Sequence, residues 1–109
     1  NHKFYLPTYE WIMLFAKPNF ELKSQGAAGI KDIWSFSQDK DNDHPAPFPL
    51  QLPRNILRTV KYKDLVIDPF VGSGTVAVAC KEESSNFLCF DISQDYIDMA
   101  NNRLRLFKC

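Results

Sequence analysis

The sequence predicts an α/β fold built on a parallel sheet, and three observations carry that expectation. Two short apolar runs, 64–68 and 86–91, each end on an aspartate, Asp68 and Asp91. A small-residue segment, Thr75–Lys81, stands between them behind a glycine turn, Gly72-Ser73-Gly74. A longer stretch with helical spacing follows the second run. The order β-α-β-α calls for parallel strands joined by a right-handed crossover.

Taken in chain order, Glu10-Trp11-Ile12-Met13-Leu14-Phe15-Ala16 is aromatic and aliphatic with no break before Pro18, which predicts a strand buried on both faces. A polar connector with Gly26 and Gly29 follows, interrupted by Ile33-Trp34-Ser35-Phe36, a candidate short strand or docking segment. Trp11 and Trp34 read as core or inter-segment packing. The acidic run from Asp39 to Asp43 reads as an exposed loop, and three prolines hold His44 to Pro49 extended. Beyond it, Leu52, Ile56, Leu57 and Val60 share a helical face and Pro53 suits a first turn, so 51–61 is predicted as a helix. Arg54, Arg58 and Lys61 line another side, where phosphate contact and a solvated face both stay open. In the last helix Ser93 is the expected N-cap, and Tyr96, Ile97, Ala100, Leu104 and Phe107 recur at helical spacing. Arg103, near its end, is expected to meet the carbonyls there.

With 109 residues the chain fits one domain of roughly 100–150 residues and one modest core. A net charge of 0 with 45% hydrophobic residues excludes disorder, collagen-like repeats and a basic nucleic-acid tail. Nine basic and six acidic residues fall in 1–63, four and seven in 64–109, so the halves carry about +3 and −3. No apolar run is long enough for a membrane span and no secretory signal is legible, which makes the cytoplasm the expected compartment. Cys80, Cys89 and Cys109 lack ligand spacing; the first two read as small buried hydrophobes, and no metal site is expected. The chain starts without Met on a stretch that already looks like mid-domain strand, so it reads as a piece of something longer. A sheet of so few strands would expose an edge and an apolar face, which predicts a need for more chain or a partner.

The chemistry gathers where the two strands end. Gly72 and Gly74 let backbone approach a ligand, and the N–H groups that open the next helix are donors for a carboxylate or phosphate. Asp91 is placed to accept both hydroxyls of a ribose. Gly72-Ser-Gly74-Thr-Val-Ala77 formally satisfies the dinucleotide pattern G-x-G-x-x-G/A, and a plain strand-to-helix turn would also explain the glycines. A phosphate loop ending in Gly-Lys-Ser/Thr is absent, which excludes a P-loop nucleotidase.

A longer set of motifs narrows the choice. His44-Pro-Ala-Pro-Phe-Pro49, the Leu52 to Val60 helix, Asp64-Leu-Val-Ile-Asp68-Pro-Phe-Val-Gly-Ser-Gly-Thr75, Asn86-Phe-Leu-Cys-Phe-Asp91 and Tyr96-Ile-x-x-Ala100-x-x-Arg103-Leu104 occur in close order. Together they resemble the C-terminal part of the β-type DNA amino-methyltransferases, S-adenosylmethionine-dependent enzymes that modify adenine N6 or cytosine N4. The resemblance covers about 44–105, and Tyr9 to Phe15 with Lys31-Asp-Ile-Trp34 resembles the strand and connector before it.

The resemblance implies an incomplete Rossmann-like methyltransferase fold, a single partial domain with a strand and connector region at 1–43 and a cofactor-binding region at 44–109. It implies that Asp68, Pro69, Phe70, Gly72, Ser73, Gly74 and Thr75 cradle the methionine part of S-adenosylmethionine, that Asp91 holds the ribose and that Ile92 lies beside the adenine. His44, Ala46 and Phe48 fall in the Pro-rich motif that closes over the same cofactor. Two departures are visible: Phe48-Pro49 stands where the family often has Lys-Pro, and Asp91 is a shorter equivalent of a frequent Glu. No catalytic residue is assigned, because the Asp/Asn/Ser-Pro-Pro-aromatic motif that orients an amino group and stacks the flipped base is missing. In this family type it would lie upstream of Asn1. The implied partners are double-stranded DNA, an upstream catalytic segment or separate subunit, and a second copy of the chain. The competing expectations are a non-catalytic partner subunit and a dinucleotide-binding oxidoreductase fragment; the latter leaves His44 to Pro49 unexplained.

Overall fold

The computed structural model describes residues 9–22, 29–37, 48–60 and 64–107. His44 and Ala46 of the Pro-rich motif, the acidic run, Lys61 and Cys109 lie outside the described residues. The ordered elements are helix α1 (Gln51–Leu57), strand β1 (Leu65–Asp68), helix α2 (Thr75–Glu82), strand β2 (Asn86–Cys89) and helix α3 (Gln94–Leu106). The two strands pair in parallel, Leu65 opposite Asn86 and Asp68 opposite Cys89. Both carboxyl ends therefore arrive at one edge, where Phe90 donates its N–H to Asp68 O at 2.8 Å and Val71 to Phe90 O at 2.8 Å.

Strand alternation separates two unequal faces. Val66, Phe87 and Cys89 turn toward the helices, where Leu57, Ala79 and Cys80 form one buried cluster and Val71, Ala77 and Ala100 a second. The small side chains of α2 explain why it sits deepest: Ala77, Val78, Ala79 and Cys80 are each at most 2% exposed. Small residues let helix and sheet approach closely, so dispersion contacts are dense. The other face presents Leu65, Ile67 and Leu88, all exposed. A parallel sheet is normally covered on both faces, and among the described residues nothing covers this one.

Two cross-links fix the helices. Arg54 of α1 donates through Nε and Nη2 to both carboxylate oxygens of Glu82 at 2.6 Å, so it is a tie between helices and not a free cation. Lys81 donates to Leu104 O at 2.8 Å and Phe107 O at 3.0 Å, satisfying carbonyls that the end of α3 leaves over.

The structure departs from sequence expectation in several places. α1 ends at Leu57 rather than 61, because Thr59 donates its N–H at 2.9 Å and its hydroxyl at 2.7 Å to Ile56 O and turns the chain away. Ser93 occupies the N-cap of α3 but makes no side-chain cap bond. The segment 10–16, expected as a buried strand, belongs to no strand; Trp11 is 83% and Phe15 84% exposed. An apolar run can form a strand only where a ladder partner exists, and no described residue offers it one. Trp11 meets the ring of Tyr9 edge-to-face at 5.7 Å, so the core reading of Trp11 is also corrected. Ile33 to Phe36 is not a strand either. It is irregular, and Ser35 and Phe36 line a cleft together with Leu50, Gln51 and Arg54 of the α1 region.

Candidate functional site

The site is built where β1 and β2 release the chain. Asp68 closes its strand and accepts the Phe70 N–H at 3.0 Å, a local turn that leaves Pro69 and Phe70 exposed. Val71 then anchors the loop in the core. Gly72 has φ 50° and Gly74 φ 86°, both left-handed, a region that side-chain-bearing residues enter at a cost. The turn is closed by Gly74 N–H to Val71 O at 2.9 Å.

Gly74 is also needed for space. A Cβ there would stand 2.8 Å from Ala100 Cβ and 3.0 Å from Ala100 Cα, so α3 packs directly on the turn. As the N-cap of α2, Gly74 offers no side-chain acceptor. The opening N–H groups of that helix carry partial positive charge and take no capping side chain from Gly74.

Asp91 joins the two loops. Its Oδ2 accepts the Gly72 N–H at 3.0 Å and its Oδ1 the Ser93 N–H at 2.9 Å. A carboxylate has about four acceptor positions, so this bracing is compatible with accepting hydroxyls as well. Beside it Ile92 is fully exposed, an apolar side chain available to a flat ligand. The structure thus brings together Asp68, Pro69, Phe70, Gly72, Ser73, Gly74, Thr75, Asp91 and Ile92 along one edge. Phe48, 42% exposed ahead of α1, is not drawn into that hydrogen-bonded cluster.

Arg103 is the residue sequence reasoning placed wrongly. Its Nη1 reaches Thr75 Oγ1 at 3.0 Å, Ser73 O at 3.3 Å and Ser73 Oγ at 3.4 Å, across from α3 to the turn, while the helix-end carbonyls go to Lys81. The available signal was position: Arg103 stands one helical turn after Ala100 and beside Leu104, a cation on the buried stripe of α3.

Cys80 and Cys89 are free thiols, and burial first, then the Asp68 charge, pushes each up to about 11 from an ordinary 9.0. They are packing groups and not nucleophiles at neutral pH. Between about pH 9 and 11 the unfolded chain loses these protons while the native chain holds them, so native stability falls as pH rises. A Cys109→Ser variant should accordingly react negligibly with a thiol reagent at pH 8 and melt at progressively lower temperature above pH 9. Cys80 is buried as expected and Cys89 only half-buried, so rapid labelling of the folded protein at pH 8 would contradict the raised thiol pKa values. Among the described residues no cluster of three or more His, Cys, Asp or Glu could hold a metal ion, and no helix is long and apolar enough to cross a membrane.

Comparison with known proteins bears on the family and the fold. The family model described as DNA methylase, of the N6/N4 type, matches residues 1–102. The chain is 40% identical over 109 residues to the type II methyltransferase M.BglI of Bacillus subtilis, covering 91% of this chain and 31% of that protein. It is 37% identical over 87 residues to the type II methyltransferase M.Cfr9I of Citrobacter freundii, covering 78% and 29%. The chain thus spans about a third of the length of these curated relatives. The crystal structure of an M1.HpyAVI–SAM complex superposes with a TM-score of 0.57 at 34% identity, covering 66% of this chain and 36% of that one. The cytosine-N4-specific PvuII DNA methyltransferase gives 0.67 at 24% identity, covering 76% and 35%, a likeness of fold. The fold is therefore the Rossmann-like methyltransferase α/β arrangement, present here in part.

Proposed function

We propose that this chain, which belongs to the DNA methylase family, is the cofactor-binding part of a site-specific DNA methyltransferase acting on adenine N6 or cytosine N4. The observation that carries the reading is the pairing of a left-handed glycine turn with Asp91 across the ends of two parallel strands. That arrangement fits S-adenosylmethionine: backbone without Cβ for close approach, helix-opening N–H groups for the amino-acid carboxylate, and an acceptor for ribose hydroxyls. Bound there, the cofactor supplies a sulfonium methyl for direct displacement by an amino nitrogen.

This chain's own residues bind and orient. Asp68 to Thr75 hold the methionine part, Asp91 fixes the ribose, and Ile92 offers apolar surface to the adenine side. His44, Ala46 and Phe48 are assigned to the same ligand by the resemblance of their Pro-rich motif alone. Holding the cofactor in one pose contributes to rate by orientation. The groups that orient the target amino group belong to a further catalytic segment or subunit, for which the open face of Leu65, Ile67 and Leu88 is a suitable seat. Double-stranded DNA is the proposed substrate, a second copy of the chain a further partner, and the cytoplasm the place of action.

Amide chemical shifts test the reading. Adding S-adenosylmethionine should move the resonances of Gly72, Gly74, Asp91 and Ile92, and NAD should leave them in place. Shifts with NAD alone would transfer the site to a dinucleotide.

A further inference from the structure

We infer that Arg103 is the positioning residue of the glycine turn, holding Ser73 to Thr75 in the shape that receives the cofactor; this rests on the cofactor reading above. Ser73 and Thr75 are 5% and 4% exposed, so their hydroxyls are shut away from bulk water and need partners within the protein. One guanidinium nitrogen meets both, together with the Ser73 carbonyl, at 3.0 to 3.4 Å. The same helix touches the turn one helical turn earlier, where Ala100 leaves no room for a Cβ on Gly74. α3 therefore grips the turn at two points, one steric and one polar. Ala100 limits how close the turn comes, and Arg103 fixes the peptide and hydroxyl orientations on either side of Gly74. The two N–H bonds of Nη1 are shared among these three acceptors, and the planar guanidinium keeps both aimed at the turn, where an ammonium on a flexible stem has no fixed direction. A full positive charge also stands beside the partly positive start of α2, which favours a carboxylate over a neutral group at the turn.

The test compares Arg103→Met and Arg103→Lys in the full chain by amide hydrogen exchange, by calorimetric titration with S-adenosylmethionine and by thermal melting. Arg103→Met should speed exchange at Gly72, Gly74 and Val78 while β1 and β2 keep their protection, and weaken binding by roughly tenfold or more. Arg103→Lys should recover part of both effects. Thr75→Val removes the acceptor at 3.0 Å and should act in the same direction in the parent chain, but add little once Arg103 is Met. Turn exchange and affinity that stay at parent values in Arg103→Met would overturn the inference. So would a uniform rise in exchange through every element in both Arg103 variants, the mark of general packing. Should the parent chain itself bind no S-adenosylmethionine, the cofactor reading falls, and the exchange rates still decide whether Arg103 holds the turn.

Discussion

Gly74→Ala is expected to destabilise this chain far more than a single added methyl ordinarily does. Two costs add at one atom. The backbone stands at φ 86°, where a side chain costs on the order of 1–2 kcal/mol. The new Cβ would also meet Ala100 at 2.8 Å on its Cβ and 3.0 Å on its Cα. A helix backbone cannot yield as a side-chain tip can, and overpacking of this kind costs about 1–3 kcal/mol. The sum of roughly 2–5 kcal/mol is a large share of the ~5–15 kcal/mol that holds a domain together. Gly29→Ala is the control within the same molecule, since Gly29 has the same φ of 86° with nothing within 4 Å of its missing Cβ. Denaturant unfolding of both variants separates backbone strain from steric conflict. Equal losses for the two would show that α3 does not press on the turn.

Asp91→Ala carries the second large effect, and it has two parts. Structurally, the Gly72 and Ser93 N–H groups lose their acceptor, at about 1–3 kcal/mol in all because half-burial lets water replace part of the bond. Functionally, loss of charge-assisted bonds to a ribose weakens binding by roughly 10- to 150-fold. Asp91→Asn separates the parts. It retains one carboxamide oxygen for a backbone N–H while removing the charge, so it should keep more stability than Asp91→Ala and lose most of the same affinity. An Asp91→Asn protein that binds at the parent affinity would confine Asp91 to bracing the loops.

The alternation of strand and helix was legible because period and turn chemistry are local. Leu65 to Asp68 and the small residues of α2 announce themselves within a few positions, and both glycines of the turn sit where the backbone needs them. What the sequence hid are bonds between distant positions. Asp91 to Gly72 spans 19 residues, Arg54 to Glu82 spans 28, and Arg103 to Ser73 spans 30. Periodicity places a residue on a face but does not say which polar group faces it across a gap. The segment 10–16 shows the opposite error: a run with full capacity for burial reads as buried, although burial also requires a neighbour. α1 fell short for a local reason that helix periodicity ignores, the hydroxyl of Thr59 taking the Ile56 carbonyl.

The open face of Leu65, Ile67 and Leu88 bears on every measurement above, because exposed apolar surface favours association. Binding is therefore best read on chain whose folded state and association state have been established by melting and sedimentation. Calorimetric titration of that folded chain, and of Asp91→Ala, with S-adenosylmethionine, S-adenosylhomocysteine and NAD decides whether the glycine turn and Asp91 form a cofactor site. Saturable binding of the first two, weakened by the substitution, and none of the third is expected. Binding of NAD in preference to S-adenosylmethionine, or no binding of any of them by the folded chain, would contradict it.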